Sequence, residues 1–292
     1  MYDPLRRAVK VLTYNVCGFR YGFDAVAEAL AREACDVAAL QEVPTARGSD
    51  EAVYEVAAGA SVVTAEASQG VGNSLLIRGP HGRARRASLW SSTGPARSAV
   101  MAPLASDVGR VTVCCVHLDD RGESRRLAQL ESLDASLGSR EAIVLGDFNA
   151  LRESDYEPGR WLEIERARRE AGLQPARGDV MDYIDRAGWV DLVRLWHAGG
   201  HGRYAASLRD PLPRRLTETS RHGTRVDYVF ATPGIARKIA VRSCRVAGWH
   251  GSDHQPVVVD LGPLPAPAAT RRRPARRADG ASGAEDGRPR AR

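Results

Sequence analysis

Of the seven most strand-like stretches of this chain, four run into an acid, an amide or an imidazole, one contains an acid, and one is led in by an Asp-His pair. The stretches are Val9–Tyr14, Val37–Leu40, Ser74–Ile77, Val111–Val116, Ala142–Leu145, Val226–Ala231 and Pro256–Leu261, rich in β-branched and apolar residues with turn residues nearby. The first runs into Asn15, the second into Gln41 and Glu42, and the fourth into His117. The fifth passes Gly146 into Asp147 and, beyond Phe148, Asn149. Asp227 interrupts the sixth, and Ser252-Asp253-His254 leads into the last. A carboxylate taken out of water is costly unless it is paired or bound to a cation. One polar strand end is unremarkable, because Asp and Asn also cap helices and make turns. Six are explained most simply if the strand ends meet in one cleft.

Helical spacing separates these runs. Phe23, Val26, Ala27, Leu30, Ala31 and Ala34 fall on one face, as do Leu127, Leu130, Leu133 and Leu137 before Gly138. A third helix is expected through Trp161, Ile164, Ala167, Arg168 and Ala171, stopping at Gly172. Strands mixed with helices argue an α/β or α+β layered domain. Residues 1–262 are read as one catalytic-sized domain, and 263–292 as a disordered Arg/Pro/Ala-rich tail that lacks the apolar residues to offset its ordering entropy. The segment Pro265–Arg292 holds eight arginines against three acids, so +5 of the net charge of +6 belongs to it and the body is nearly neutral. Overall basicity therefore says little about the surface of the body. The tail reads as a solvated end, with a tether to nucleic acid as the alternative. Five cysteines without a Cys-x-x-Cys pair argue against a disulfide framework and a thiolate zinc site. With no long apolar stretch and no secretory pattern at the start, a cytoplasmic protein is expected.

If the polar strand ends meet, the chemistry is that of oxygen ligands. Glu42, Asp147, Asn149, Asp253 and Asn15 offer hard donors, which suit Mg²⁺ or Mn²⁺ better than zinc. Such an ion offsets charge on a phosphoryl group and its leaving oxygen. The histidines exchange protons near neutrality, their ordinary pKa being ~6.5, and Asp227 is placed to orient one of them. Asn73 and Arg97 are the candidate substrate-binding residues, although each also fits a bland reading, as a strand-start turn and a solvated arginine. His222 and Arg225 approach Asp227 in what reads as a loop. Trp90, Trp189, Trp196 and Trp249 could each stack a base, although an unplaced tryptophan is usually core; Trp249 and His250, just before Ser252, are the best placed because they lie beside the presumed site. Cys114 and Cys115, adjacent on a strand, should face opposite sides and serve packing.

At these residues the sequence resembles the endonuclease/exonuclease/phosphatase superfamily, also called the deoxyribonuclease I-like fold, from about Val9 to Leu261. The motifs that carry the resemblance are Gly146-Asp147-Phe148-Asn149 and Ser252-Asp253-His254, with Leu40-Gln41-Glu42, Thr13-Tyr14-Asn15 and Arg225-Val226-Asp227-Tyr228 in the same order. The resemblance implies two packed mixed β-sheets in a sandwich flanked by helices, with the site at one edge. It implies Glu42 as the principal metal ligand, with Asn15 and Asp253 near that or a second metal position. Asp147 and Asn149 would position water and phosphate, His254 oriented by Asp227 would be the acid/base or phosphate-stabilising imidazole, and His117 would be the second histidine. Val43-Pro44 after Glu42 departs from apurinic-site endonucleases, which carry a Lys there, and Cys17 falls where some of them carry an acid. The segment His117-Leu118-Asp119-Asp120, followed by Glu123, Arg125 or Arg126 and Gln129, looks more like the phosphatase and phosphodiesterase branch. The expectation is a monomeric, metal-dependent phosphoesterase whose substrate is a nucleic acid, a nucleotide or a small phosphorylated molecule. Its alternatives are a nuclease tethered by the basic tail and a non-catalytic scaffold that keeps the fold.

Overall fold

The computed structural model describes residues 8–45, 60–66, 70–78, 88–91, 98–106, 109–199 and 210–263. Arg97 and the tail from 264 onward lie outside the described residues, as does the side chain of Trp90. The strands are β1 (Val9–Asn15), β2 (Val37–Pro44), β3 (Ala60–Glu66), β4 (Val71–Arg78), β5 (Ser88–Ser91) and β6 (Ser98–Ser106). They continue as β7 (Gly109–His117), β8 (Ala142–Asp147), β9 (Val190–Asp191), β10 (Asp227–Ala231), β11 (Ile239–Val246) and β12 (Val257–Pro263). They form two six-stranded sheets, ordered β11-β12-β1-β2-β4-β3 and β5-β6-β7-β8-β10-β9. The helices are α1 (Phe23–Glu33), α2 (Glu123–Leu137), α3 (Pro158–Glu170), α4 (Asp179–Arg186), α5 (Leu192–His197), α6 (Arg214–Thr217) and α7 (Pro233–Ala236).

All seven runs legible in the sequence are strands, and the three expected helices are α1, α2 and α3. Among the described strands not anticipated are the edge strands β3, β5, β9 and β11 and the longer β6. Each lacks a clean apolar run: β11 carries Arg242 and Arg245 and breaks register between Val241 and Ser243, while Pro103 interrupts β6. Both sheets are covered on both faces, so their central strands are apolar throughout rather than alternating. Val11, Ala39, Leu75, Val113, Cys115, Leu145 and Val229 fill the space between the sheets. Leu12, Tyr14 and Leu40 pack outward on Val26 and Leu30 of α1, and Cys114, Val116 and Val144 on Leu130 and Leu133 of α2. Cys114 and Cys115 thus face opposite sides, and all five cysteines are free and buried. Among the described residues no helix is long and apolar enough to cross a membrane.

Strand direction brings the polar ends together. β1 runs parallel to β2, and β7 parallel to β8, so Asn15, Glu42, His117 and Asp147 all arrive at C-terminal ends. β10 and β12 run antiparallel to β8 and β1, so their N-terminal ends, where Asp227 and His254 lie, reach that same edge. Register sharpens this: His117 and Asp227 both stand opposite Asp147, one on each neighbouring strand.

Gly146 makes this junction possible. It has φ 155°, and a Cβ there would lie 1.9 Å from the Val116 carbonyl oxygen on β7. The contact is with backbone, so nothing can rotate away. Gly146→Ala is expected to destabilise the fold by about 2 kcal/mol or more, read as a lowered urea midpoint; an unchanged midpoint would contradict the packing described.

Candidate active site

Asp147 lies at the centre of the edge, buried at 1% exposure. Its Oδ1 accepts the Asn149 N–H at 2.9 Å, and its Oδ2 accepts Asn15 Nδ2 at 3.1 Å. Asn15 Nδ2 also donates to Glu42 Oε1 at 3.2 Å, so one amide holds two carboxylates together. Asn15 Oδ1 is fixed in turn by the Cys17 N–H at 2.9 Å. Glu42 reaches this position through a bulge: Leu40 pairs with Ser74 and Val43 with Gly72, leaving Gln41 and Glu42 opposite Asn73 alone. Glu42 has φ 57° there, a conformation unusual for a residue with a side chain. Asn73, buried on β4, is thereby set beside the turn that aims Glu42.

Two imidazoles face the carboxylates. His117 Nε2 lies 3.5 Å from Asp147 Oδ2 and 3.8 Å from Glu42 Oε1. His254 Nδ1 bonds Asp227 Oδ2 at 2.9 Å, and its Nε2 stands 3.8 Å from Asp147 Oδ2. Asp147, Asp227 and His254 offer ligand atoms within 4.8 Å of one another, the described group best placed by distance alone to hold a metal. A cation within that trio would compete with the Asp227–His254 hydrogen bond, however. The Glu42 side is freer: its carboxylate is 31% exposed, and the Asp253 carboxylate, 21% exposed, acts electrostatically on Cys17 together with Glu42. The Cys17 thiol between them is pushed up to about 12, by burial first and then by Asp253 and Glu42, so it is no thiolate and the donor set stays oxygen-rich. Among the described residues the buried Asp227 Oδ1 has no hydrogen-bond partner, which leaves negative charge for a neighbouring positive group to offset. These residues fit a hard divalent ion.

Asn149, at φ 50°, donates Nδ2 to the Leu118 carbonyl at 3.0 Å, joining the loop after β8 to the loop after β7. Asp119 and its companions fasten that second loop. Asp119 Oδ1 accepts the Arg121 and Gly122 N–H groups, Gln129 Oε1 accepts the Asp119 N–H, and Arg126 donates to the Asp119 carbonyl. Glu123 pairs with Arg126 at 2.8 Å and accepts the Val180 N–H at the start of α4. The residues that suggested a branch of the superfamily thus anchor the His117 loop here.

Arg225 differs from its reading as a loop residue on the approach to Asp227. It is fully buried behind the site, with Nη2 2.7 Å from Asp191 Oδ1, Nη1 3.2 Å from Asp155 Oδ2, and its guanidinium 4.3 Å from the Tyr228 ring centre. Arg194 pairs with Asp155 at 2.6 Å, closing a network that holds the strand carrying Asp227. Sequence periodicity missed these acids because Asp155 and Asp191 lie at the ends of short irregular elements. Trp189 is buried against Phe230, as expected of a core residue. His222 does stand near the site, since the charges of Asp253 and His254 both act on it.

Burial pushes the Asp147 carboxyl up, and the charge of Asp227 adds to it, against the opposing pull of His254, the Asn149 N–H and the Asn15 amide; the result is about 7. For His254, burial disfavours the cation, but the charge and hydrogen bond of Asp227 outweigh it, with Asp147 and Asp253 helping, and its pKa rises to about 10. The signs differ. His254 contributes stability at pH below its ordinary 6.5 that is lost through about 10. Asp147 begins to cost stability above its ordinary 3.8, and that cost is complete once pH passes about 7. In chelated protein, Asp147→Asn should therefore raise the melting temperature at pH 8 and leave it nearly unchanged near pH 4. A melting-temperature difference independent of pH would contradict the buried, strained carboxylate.

The family profile described as "Endonuclease/Exonuclease/phosphatase family" matches residues 12–254. No curated protein sequence matches the chain. Among solved structures, it is similar to an endonuclease/exonuclease/phosphatase from Beutenbergia cavernae DSM 12333, with TM-score 0.63 and 20% identity over 90% of this chain and 74% of that one. It is similar to the human Nocturnin catalytic domain, with TM-score 0.61 and 15% identity over 89% and 96%. It is also similar to D. rerio TDP2 complexed with single strand DNA product, with TM-score 0.59 and 15% identity over 87% and 99%. At these identities the likeness to each structure is one of fold. The family match spans every strand end at the site, from the strand bearing Asn15 to His254, and the chain belongs to the endonuclease/exonuclease/phosphatase family.

Proposed function

We propose that the chain hydrolyses a phosphoester by direct attack of water on phosphorus at the edge where the strand ends meet. The observation that carries this reading is the 2.9 Å bond from Asp227 to His254 Nδ1, which turns Nε2 toward Asp147 at 3.8 Å. That arrangement places a positively charged imidazole and a carboxyl of about neutral pKa across one small gap. Asp147 accepts the proton of the attacking water; a base works best when its pKa lies near the working pH. Asn149, beside it, aligns water and phosphate. The new bond forms between the water oxygen and phosphorus and the ester P–O bond breaks on the opposite face, the leaving oxygen taking its proton from solvent; His254 Nε2, 3.8 Å from Asp147 Oδ2 and so on the side of the water, donates to a non-bridging phosphoryl oxygen. His117 Nε2, 3.5 Å from Asp147 Oδ2, adds a second donor to the phosphoryl oxygens.

Glu42, with Asn15 and Asp253 beside it, would hold Mg²⁺ or Mn²⁺. When bound, the ion supplies charge neutralisation for the phosphoryl and leaving oxygens. Asn15 serves that site by fastening Glu42 to Asp147, and Asn73 by backing the bulge. The full set of carboxylates and imidazoles favours catalysis over a scaffold that merely keeps the fold.

Purified protein with Mg²⁺ or Mn²⁺ should turn over bis(p-nitrophenyl) phosphate or p-nitrophenyl phosphate and stop when chelated. Asp147→Asn and His254→Ala should each lower kcat by about 10²- to 10⁴-fold while the protein stays folded. Absence of metal-dependent turnover across DNA, RNA, nucleotides, sugar phosphates and phosphoinositides would sink the reading.

A further inference from the structure

The Asp227–His254 hydrogen bond joins two segments of the chain, and one residue outside both is bonded to each of them. Thr219 is fully buried, eight positions before Asp227. Its hydroxyl accepts the Val226 N–H at 3.1 Å and the Asp227 N–H at 3.2 Å, and donates to the Thr224 carbonyl at 3.4 Å. A hydroxyl offers one proton and two lone pairs, so its whole capacity is committed here. Two consecutive main-chain N–H groups thereby converge on one side-chain oxygen, which fixes the peptide from which the Asp227 side chain departs.

The main chain of Thr219 holds the other partner. Its carbonyl accepts the Gln255 N–H at 2.7 Å, and two residues on the Arg221 N–H donates to the Asp253 carbonyl at 2.8 Å. Between these two bonds Ser220 stands opposite His254 in an antiparallel bridge. The loop is closed on itself as well: the Thr219 and Ser220 N–H groups both donate to the Thr224 carbonyl, at 3.1 and 3.0 Å, and Ser220 Oγ lies 2.9 Å from Thr224 Oγ1. The side chain of Thr219 thus sets one end of the 2.9 Å bond between Asp227 and His254, and its backbone sets the other. Hydrogen bonds are directional in a way that apolar contact is not, so one residue bonded to both segments fixes how they approach each other.

We propose that Thr219 is a positioning residue for His254: its hydroxyl holds Asp227 where that carboxylate keeps Nε2 turned toward the phosphoryl group. This rests on the phosphoesterase reading and adds to it a residue that acts only through the Asp227–His254 pair. If the hydroxyl served the fold alone, its loss would lower stability and leave the imidazole as it is.

The test replaces the hydroxyl by a methyl group, Thr219→Val, and keeps it in Thr219→Ser; Thr219→Ala takes the place of the valine variant if that chain does not fold, as judged by its urea midpoint. In the chelated full chain the hydrogen-bonded His254 Nδ1 proton gives a far-downfield proton resonance, assigned by its absence in His254→Ala. Thr219→Val should shift that resonance or broaden it away, and Thr219→Ser should retain it. With Mg²⁺ or Mn²⁺ and bis(p-nitrophenyl) phosphate, Thr219→Val should lower kcat by about 10- to 10²-fold with KM little changed, and Thr219→Ser should keep most of the turnover. In a His254→Ala background the same substitution should cost almost nothing further, because residues that act as a unit are not additive. An unmoved resonance in the folded variant, an equal fall in kcat with the His254 imidazole already removed, or a serine variant no better than the valine one overturns the proposal. Absence of metal-dependent turnover in wild type sinks the phosphoesterase reading instead, and the resonance by itself then decides whether Thr219 orients His254.

Discussion

The desolvated carboxylate of Asp147 sets the terms for everything around it. A buried acid loses the stabilisation that water gives its charge, and its own fold must replace it. Asn15 and the Asn149 amide supply hydrogen bonds, His254 supplies opposite charge, and His117 waits at 3.5 Å. The replacement is incomplete, which is why the carboxyl stays near neutrality in its acid strength. That shortfall costs stability, and it is what the proposed role as a base requires, since a base near pH 7 must be neither fully satisfied nor fully exposed.

Backbone strain is concentrated at the same edge. Glu42 and Asn149 both take positive φ, and Gly146 has no room for a side chain. Each irregularity re-aims a neighbouring side chain that a regular strand would send elsewhere: the bulge turns Glu42 toward Asn15, and the turn after Asp147 swings the Asn149 N–H back onto it. Such conformations persist only where the surroundings over-determine them. The two sheets do so here, because β2 is paired on both sides and β8 lies between β7 and β10.

Behind the site, stiffness comes from ion pairs instead of apolar packing. Arg225, Arg194, Asp155 and Asp191 form a buried network two residues upstream of Asp227. A buried ion pair adds little net stability, yet losing one partner strands the other charge and costs several kcal/mol. The network therefore fixes where β10 begins, and through Asp227 it fixes how His254 is turned.

The central strands, three helices, the polar type of each strand end and the family resemblance are legible along the chain alone, because central strands buried on both faces must be apolar for their whole length. So is the parting of Cys114 and Cys115, since side chains on a strand alternate. Edge strands such as β11 escaped notice, because a strand with solvent on one side tolerates arginine and irregular register. Which polar groups touch depends on how the chain is folded back on itself. Asn15 and Asp147 are separated by 132 positions, and no local spacing encodes their 3.1 Å contact. Arg225 reads in the sequence as a loop residue and is the hub of a buried network, for its acids come from two distant segments. Periodicity reports which way a residue faces along its own element, whereas the partner it meets there depends on how the sheets are stacked.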